Sequence, residues 1–196
     1  MSVTDASTGS SNKATLPAAA SIWDIDSAHS QTHFKVRHLM VSHVRGSLGE
    51  VSGTVVLDDA DITRSRVDVR VDTRGIETRD DKRDAHLRSA DFLDVANHPY
   101  LTFVSRQVRK EKGSRLAVEG DLTIRGVTKT VTLEVEALED AVTDPWGNVK
   151  RGASARTTIN RKDWGLEWNV ALETGGVLVG EQVTIEIEVE LARRKA

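Results

Sequence analysis

From Ile22 onward, apolar and polar residues alternate along most of the chain. Near the C-terminus Val183, Ile185, Ile187, Val189 and Leu191 are apolar, and Thr184, Glu186, Glu188 and Glu190 between them are polar. A period of two over this length predicts a β-strand with one buried face and one wet face. The same alternation sets Val67, Val69 and Val71 against Asp68, Arg70 and Asp72. It sets Val131, Leu133 and Val135 against Thr132, Glu134 and Glu136. Between these two stretches, Leu116, Val118, Leu122 and Ile124 take one face while Glu119, Asp121 and Thr123 take the other. Weaker versions cover 32–38, where Phe34 and Val36 share a face, and 46–57, 99–108 (which contains Phe103) and 152–160.

Short polar or Gly-bearing segments separate the runs. Asp58-Asp59-Ala60-Asp61, Glu111-Lys112-Gly113-Ser114 and Arg125-Gly126-Val127-Thr128 predict antiparallel hairpins between neighbouring strands. Asp144-Pro145-Trp146-Gly147-Asn148 has Pro early and Gly late, as a turn requires. One helix is predicted, over roughly Asp80 to Leu93, with Asp80, Asp81 and Asp84 near its positive N-terminal end. The total is about eight strands and one or two short helices.

Each strand has an apolar face to bury, and there are too few helices to cover an open sheet. Short sequential connections favour an up-and-down barrel over a Greek-key sandwich. The expected fold is therefore an all-β, extended antiparallel barrel, whose eight or so strands enclose either a solid core or one ligand. Aromatic residues are only 4% of the chain, and Trp146, Trp164 and Trp168 fall in loops or at strand ends. The inward-facing lists are thus mostly Val, Ile and Leu. Such an interior either forms a roomy apolar lumen suited to a hydrocarbon chain or packs solid, and composition leaves both open.

Cysteine is absent, which excludes disulfides, thiolate catalysis and Cys-ligated metals. The net charge of −3, with both signs interspersed, gives no electrostatic footprint for nucleic acid or anionic lipid surfaces. Residues 1–20 are rich in Ser, Thr, Ala and Gly and lack the apolar core of a secretory signal, so they read as a disordered tail on a 21–196 barrel domain. A cytoplasmic location is expected on the same ground. No segment approaches the length of a spanning helix, so no stable membrane insertion is expected.

His29, His33, His38 and His43 cluster early, but on a strand His33 and His38 point to opposite faces, as do His38 and His43. With no His-Glu-x-x-His pattern, no metal or other cofactor is expected. His38 follows Phe34 and Val36 on one face, where it either meets a polar headgroup at the barrel mouth or is a core histidine bonded to a carbonyl. No nucleophile elbow, dinucleotide fingerprint or P-loop is present, and no catalytic residue is assigned. The paired carboxylates Asp58-Asp59 and Asp80-Asp81 read as capping and solvation, and the run from Arg79 to Asp84 as a solvated charged face. Arg88 is a candidate for binding phosphate through its planar fork.

Longer motifs then come together. Trp23-Asp24-Ile25-Asp26 with His29-Ser30, then Phe34-x-Val36-x-His38 and Gly46, open the series. Arg83-Asp84-x-His86-Leu87-Arg88-Ser89-x-Asp91-Phe92, followed by Pro99 and Phe103, is the most specific piece. Gly120 to Lys129 and Asn160 to Leu166 complete it. In this order, over about 22–192, these motifs resemble the YceI-like family. The resemblance implies a lipocalin-like barrel that holds a polyisoprenoid in its lumen, commonly as a homodimer, with carriage, storage or protection of an isoprenoid lipid or quinone as its role. Many members are exported to the periplasm; the family is not established as enzymatic.

Three readings follow. A lipid-binding barrel requires an apolar lumen lined by Phe34, Val36, Val67, Val69, Val71 and Phe103, together with Leu122, Ile124, Val131, Leu133, Val135, Ile185 and Ile187. A lipid-acting enzyme requires His38, His86 and Arg88, the headgroup candidates, to converge at the mouth with perturbed pKa values. A structural or stress-linked interaction module requires a solid interior and an exposed apolar patch.

Overall fold

The first strand pairs with the last. In a computed structural model that describes residues 20–173 and 175–195, β1 (Ala20–His38) lies antiparallel to β10 (Val179–Arg193) from Trp23 opposite Arg193 to Val36 opposite Val183. The other strands are β2 (Ser42–Ser47), β3 (Glu50–Asp58), β4 (Arg66–Asp72), β5 (Tyr100–Lys110), β6 (Leu116–Ile124), β7 (Val127–Leu138), β8 (Val142–Thr143) and β9 (Val149–Asn160). Pairing runs β10-β1-β3-β4-β5-β6-β7-β9 and returns from β9 to β10. The result is a closed, eight-strand antiparallel barrel, with β2 on β1 and β8 on β9 as additions. The expected tail lies outside the described residues except for Ala20, which opens β1.

Inward orientation follows the alternation. Ile185, Val71, Val118, Leu122 and Ile124 are buried, while Val67, Val69, Leu133, Val135 and Ile187 are half-buried and pack against the same core. A one-residue slip in any of these strands would expose its whole apolar set. Fully burying one such side chain stabilises by roughly 1.5–3 kcal/mol, so the register is firmly fixed.

Local chemistry explains the turns. Arg125 and Gly126, with φ of 48° and 75°, form the two-residue connection between Ile124 and Val127, the positive-φ pair that a tight hairpin demands. Asp144 Oδ1 accepts from the amides of Trp146 and Asn148. Asp58 is completely buried; its Oδ1 accepts from the amides of Ala60 and Asp61, and Arg64 Nη2 lies 2.6 Å from its Oδ2. It caps as expected but is not solvated.

Three sequence expectations change. The 46–57 run is two strands, because the chain bends at Leu48-Gly49 (φ of Gly49 is 124°). The helix is α1, Asp81–Arg88, and not Asp80 to Leu93. The Ser89 amide donates to His86 O to close its last turn, and the chain then turns to bury Phe92, Leu93 and Val95. The charged run 79–84 is only partly solvated: Asp84 is buried and accepts from the amide and hydroxyl of Thr78.

Those residues build a plug at one end of the barrel. Arg83 Nε donates to Thr78 Oγ1 (2.7 Å), and Arg88 donates to the carbonyls of Arg74 and Ile76 (3.1 and 2.9 Å). From the other side, the 3-10 turn Arg161–Trp164 brings in buried Trp164, whose Nε1 donates to Leu122 O (3.2 Å). Arg161 is also buried, and its Nε donates to Gly180 O. Burial lowers the pKa of its guanidinium, an effect opposed by Glu181.

Two features carry measurable consequences. At Gly120 an added Cβ would lie 2.5 Å from Phe103 Cζ and 2.5 Å from Val104 O. Gly120→Ala is expected to destabilise by about 1–3 kcal/mol through overpacking, read as a lower urea midpoint; an unchanged midpoint contradicts this packing. Across the closing seam, Lys150 Nζ sits 2.7 Å from Asp26 Oδ2 and 2.9 Å from Glu190 Oε1. Lys150, with help from His29, pulls the Asp26 carboxyl down to about 2. A depressed carboxyl pKa stabilises above the unfolded value of about 4 and loses that contribution as pH falls. Asp26→Asn should therefore cost on the order of 1–2 kcal/mol near neutral pH, allowing for partial exposure. The gap to wild type should close as pH falls from about 4 towards 2. A gap independent of pH would contradict the ion pair's role.

Candidate functional site

The barrel encloses an apolar cavity. Its volume is about 160 Å³. Val67, Val69, Val71, Phe103, Leu122 and Leu133 line it, as do Val135, Ile185 and Ile187. Thr32, Ser65, Thr102, Ser154 and Thr157 supply the hydroxyls of the wall, and no charged side chain belongs to it. The interior is therefore hollow and not solid. Of the wall residues, Val67, Val69, Leu133, Val135, Ile187 and Val189 are only half-buried because they face this space, while Val51, Val71, Leu122 and Leu191 are buried.

Four expected lumen residues lie elsewhere. Phe34 and Ile124 are buried, and Val36 and Val131 are half-buried against the core; none of the four is in the cavity wall. They sit beyond the wall residues of their strands, toward the plug. Phe34 is wedged there because Gly46 opposite it has no side chain: a Cβ would lie 2.8 Å from Phe34 Cε1. At the other end the wall reaches Ile62, Leu116 and Leu138, all only half-buried, and this end is the mouth.

Two residues near this end of the barrel, outside the cavity wall, were not among the expected site residues. Arg151 shares the inward parity of Ala153 and Ala155 on β9, and its guanidinium lies 5.5 Å from the Trp23 ring centroid. Its Nη1 is 3.2 Å from Asp59 Oδ1, while its Nε is buried and makes no hydrogen bond among the described residues. Trp23 is buried, and its Nε1 donates to Ser21 Oγ at 2.8 Å. The usable signal was parity: the 152–160 alternation, extended back by one residue, puts a cation in phase with the inward side chains.

The expected headgroup residues do not meet at the mouth. His38 ends β1 at the plugged end, opposite Ser42 and Val179. His86 Nε2 lies 2.8 Å from Asp91 Oδ2, and its ring packs edge-on to Phe92 and Trp168 (centroids 5.0 and 4.6 Å apart). Arg88 spends its donors on backbone carbonyls, so it braces the plug. The physical reason is that α1 belongs to the 73–99 connection, which crosses the end away from the mouth. Asp26, His29 and Glu190 offer ligand atoms within 4.8 Å of one another, but the Lys150 ammonium already sits between the two carboxylates.

Comparison with known proteins fits this architecture. Residues 23–191 match the YceI-like domain. A UPF0312 protein of Pectobacterium atrosepticum is 35% identical over 178 residues, spanning 91% of this chain and 88% of the relative. The crystal structure of the Campylobacter jejuni YCEI protein is similar with a TM-score of 0.67 at 28% identity, over 81% of this chain and 90% of that one. A polyisoprenoid binding domain from Saccharophagus degradans shares the fold, with a TM-score of 0.60 at 15% identity over 88% of this chain and 98% of its own. The sequence match runs from Trp23 to Leu191, through both the lumen wall and the plug, and the chain belongs to the YceI-like family.

Proposed function

We propose that the protein binds a long-chain isoprenoid lipid or isoprenoid quinone in its lumen and carries or stores it. The observation that carries this reading is the cavity itself: elongated along the strands, walled by aliphatic side chains, and plugged at one end. A hydrocarbon chain loses nothing by leaving water for such a wall, whereas a polar metabolite would leave its hydrogen bonds unmade. The Saccharophagus degradans neighbour is described as polyisoprenoid binding, which is consistent with a chain-like ligand here. Arg151, near the open end and with a buried Nε that makes no hydrogen bond among the described residues, could donate to a headgroup oxygen.

Val135→Asp puts an unpaired carboxylate into the apolar wall, and such burial costs several kcal/mol. Binding of a fluorescent polyprenyl analogue should fall by at least about a hundredfold. Glu134→Ala, one residue away on the exposed outer face beside Arg156, should change affinity by less than about twofold. Circular dichroism checks that both variants fold. A folded Val135→Asp protein that binds as tightly as wild type would rule the lumen out as the site. Arg151→Gln should weaken a headgroup-bearing probe by roughly tenfold and leave a probe without a headgroup unaffected; equal losses for both probes would contradict the headgroup role.

A further inference from the structure

The β1–β2 hairpin at the plugged end is unlike the other hairpins. Its tip is Leu39-Met40-Val41, exposed by 39%, 49% and 78%. Leu39 and Met40 have φ of 50° and 61°, and the Val41 amide donates to His38 O, so two consecutive apolar residues occupy positions that favour Asn and Gly. Val170, 46% exposed, extends the apolar tip from the neighbouring loop, which is held by Leu39 N donating to Leu178 O and Leu178 N to Val170 O.

Behind the tip the outer face of the ribbon is basic. Lys35 lies directly opposite Arg45, and Arg37 directly opposite His43. The like charges of Lys35 and Arg45 repel in such a cross-strand pair. None of Lys35, Arg37 and Arg45 has an ion-pair partner within 4.0 Å among the described residues. Nearby acids do not neutralise them: Glu181 is taken by Lys162 at 2.5 Å, and Glu186 faces His33. Glu77 and Glu173 are exposed at the flanks. The pKa of His43 is held down by desolvation and then by Arg37, Lys35 and Arg45, as expected for a cation-rich face.

We propose that this hairpin docks the protein peripherally onto an anionic lipid bilayer, the apolar tip entering the interface and Lys35, Arg37 and Arg45 lying over the headgroups. Basic residues on an edge strand also guard against strand addition, but that role does not call for three exposed apolar residues at the tip. A nucleic acid would engage the charges and leave the tip in water. A twofold pairing with a second copy would set one basic face against another, because symmetric interfaces bring like patches together. The geometry thus pairs charge complementarity with a small insertable tip, the combination that retains proteins at membrane surfaces. The surface is at the end away from the mouth and does not depend on what fills the lumen.

The test is co-sedimentation of the full chain with phosphatidylcholine vesicles and with vesicles that also contain phosphatidylglycerol. Binding is expected only to the anionic vesicles and should weaken with added salt. Arg37→Gln and Arg45→Gln should each lower it about fivefold. Met40→Asn, which suits the positive-φ turn and therefore folds, should abolish binding when combined with Val41→Ser. Lys112→Gln, in a turn at the mouth end, is expected to leave it unchanged. The proposal is overturned by absent binding, by equal binding to neutral vesicles, or by tip variants that bind normally. It is equally overturned if the tip variants convert a dimer to a monomer in sedimentation velocity, or if duplex DNA binds in a way sensitive to Arg37 and Arg45 but not to Met40.

Discussion

The pairing of β10 with β1, at opposite ends of the sequence, is the contact on which the rest depends. It turns a meander into a closed barrel, so every other residue of eight strands must point inward. Closure also fixes how much room there is. The inward side chains are mostly Val, Leu and Ile, too small to meet across an eight-strand interior, and Phe103 is the single aromatic in the wall. A hollow of about 160 Å³ forgoes on the order of 4 kcal/mol relative to a filled one. An apolar ligand in that space would recover part of the deficit. The seam itself is reinforced on the outside by Asp26, Lys150 and Glu190, one from each of the three strands that meet there.

The two ends of the barrel are built for different purposes. One is stopped by Trp164, Phe92, Leu93 and Ile76, all buried, and braced by the Asp84–Thr78 and Arg88–carbonyl contacts. The other ends in half-buried Ile62, Leu116 and Leu138 with the Trp23–Arg151 stack beside them. The most specific family motif, Arg83 to Phe92, therefore serves the plug and does not line the cavity. Chemistry-bearing residue types in that motif are structural here: a buried carboxylate orders a turn, and a guanidinium satisfies carbonyls that a loop would otherwise leave unpaired.

The strands were legible because period-two alternation survives wherever one face is wet, as in Val183 to Leu191 and Val131 to Val135. Hairpins announced by Gly or Pro, such as Arg125-Gly126 and Asp144 to Asn148, were legible for the same local reason. The Leu39-Met40 turn was not, since nothing in its composition signals positive φ. The helix end was misplaced because residues 89–93 read equally well as a last helical turn, and burial of Phe92, Leu93 and Val95 decided otherwise. Sites were harder than strands. Parity tells which face a residue takes but not its depth along the barrel, so Phe34, Val36, Ile124 and Val131 were placed on the correct face at the wrong level. His38, His86 and Arg88 were judged by residue type, while their positions depend on which end the 73–99 connection crosses. Arg151 was hidden by a strand boundary drawn three residues late, at 152 where β9 begins at Val149.

The most direct test of a lumen built for an isoprenoid is native mass spectrometry of the full chain purified from its own host. The account predicts a species carrying one non-covalent ligand, released on denaturation and identified by fragmentation as an isoprenoid lipid or quinone. Only the bare chain mass, persisting after incubation with polyprenyl lipids, would contradict it.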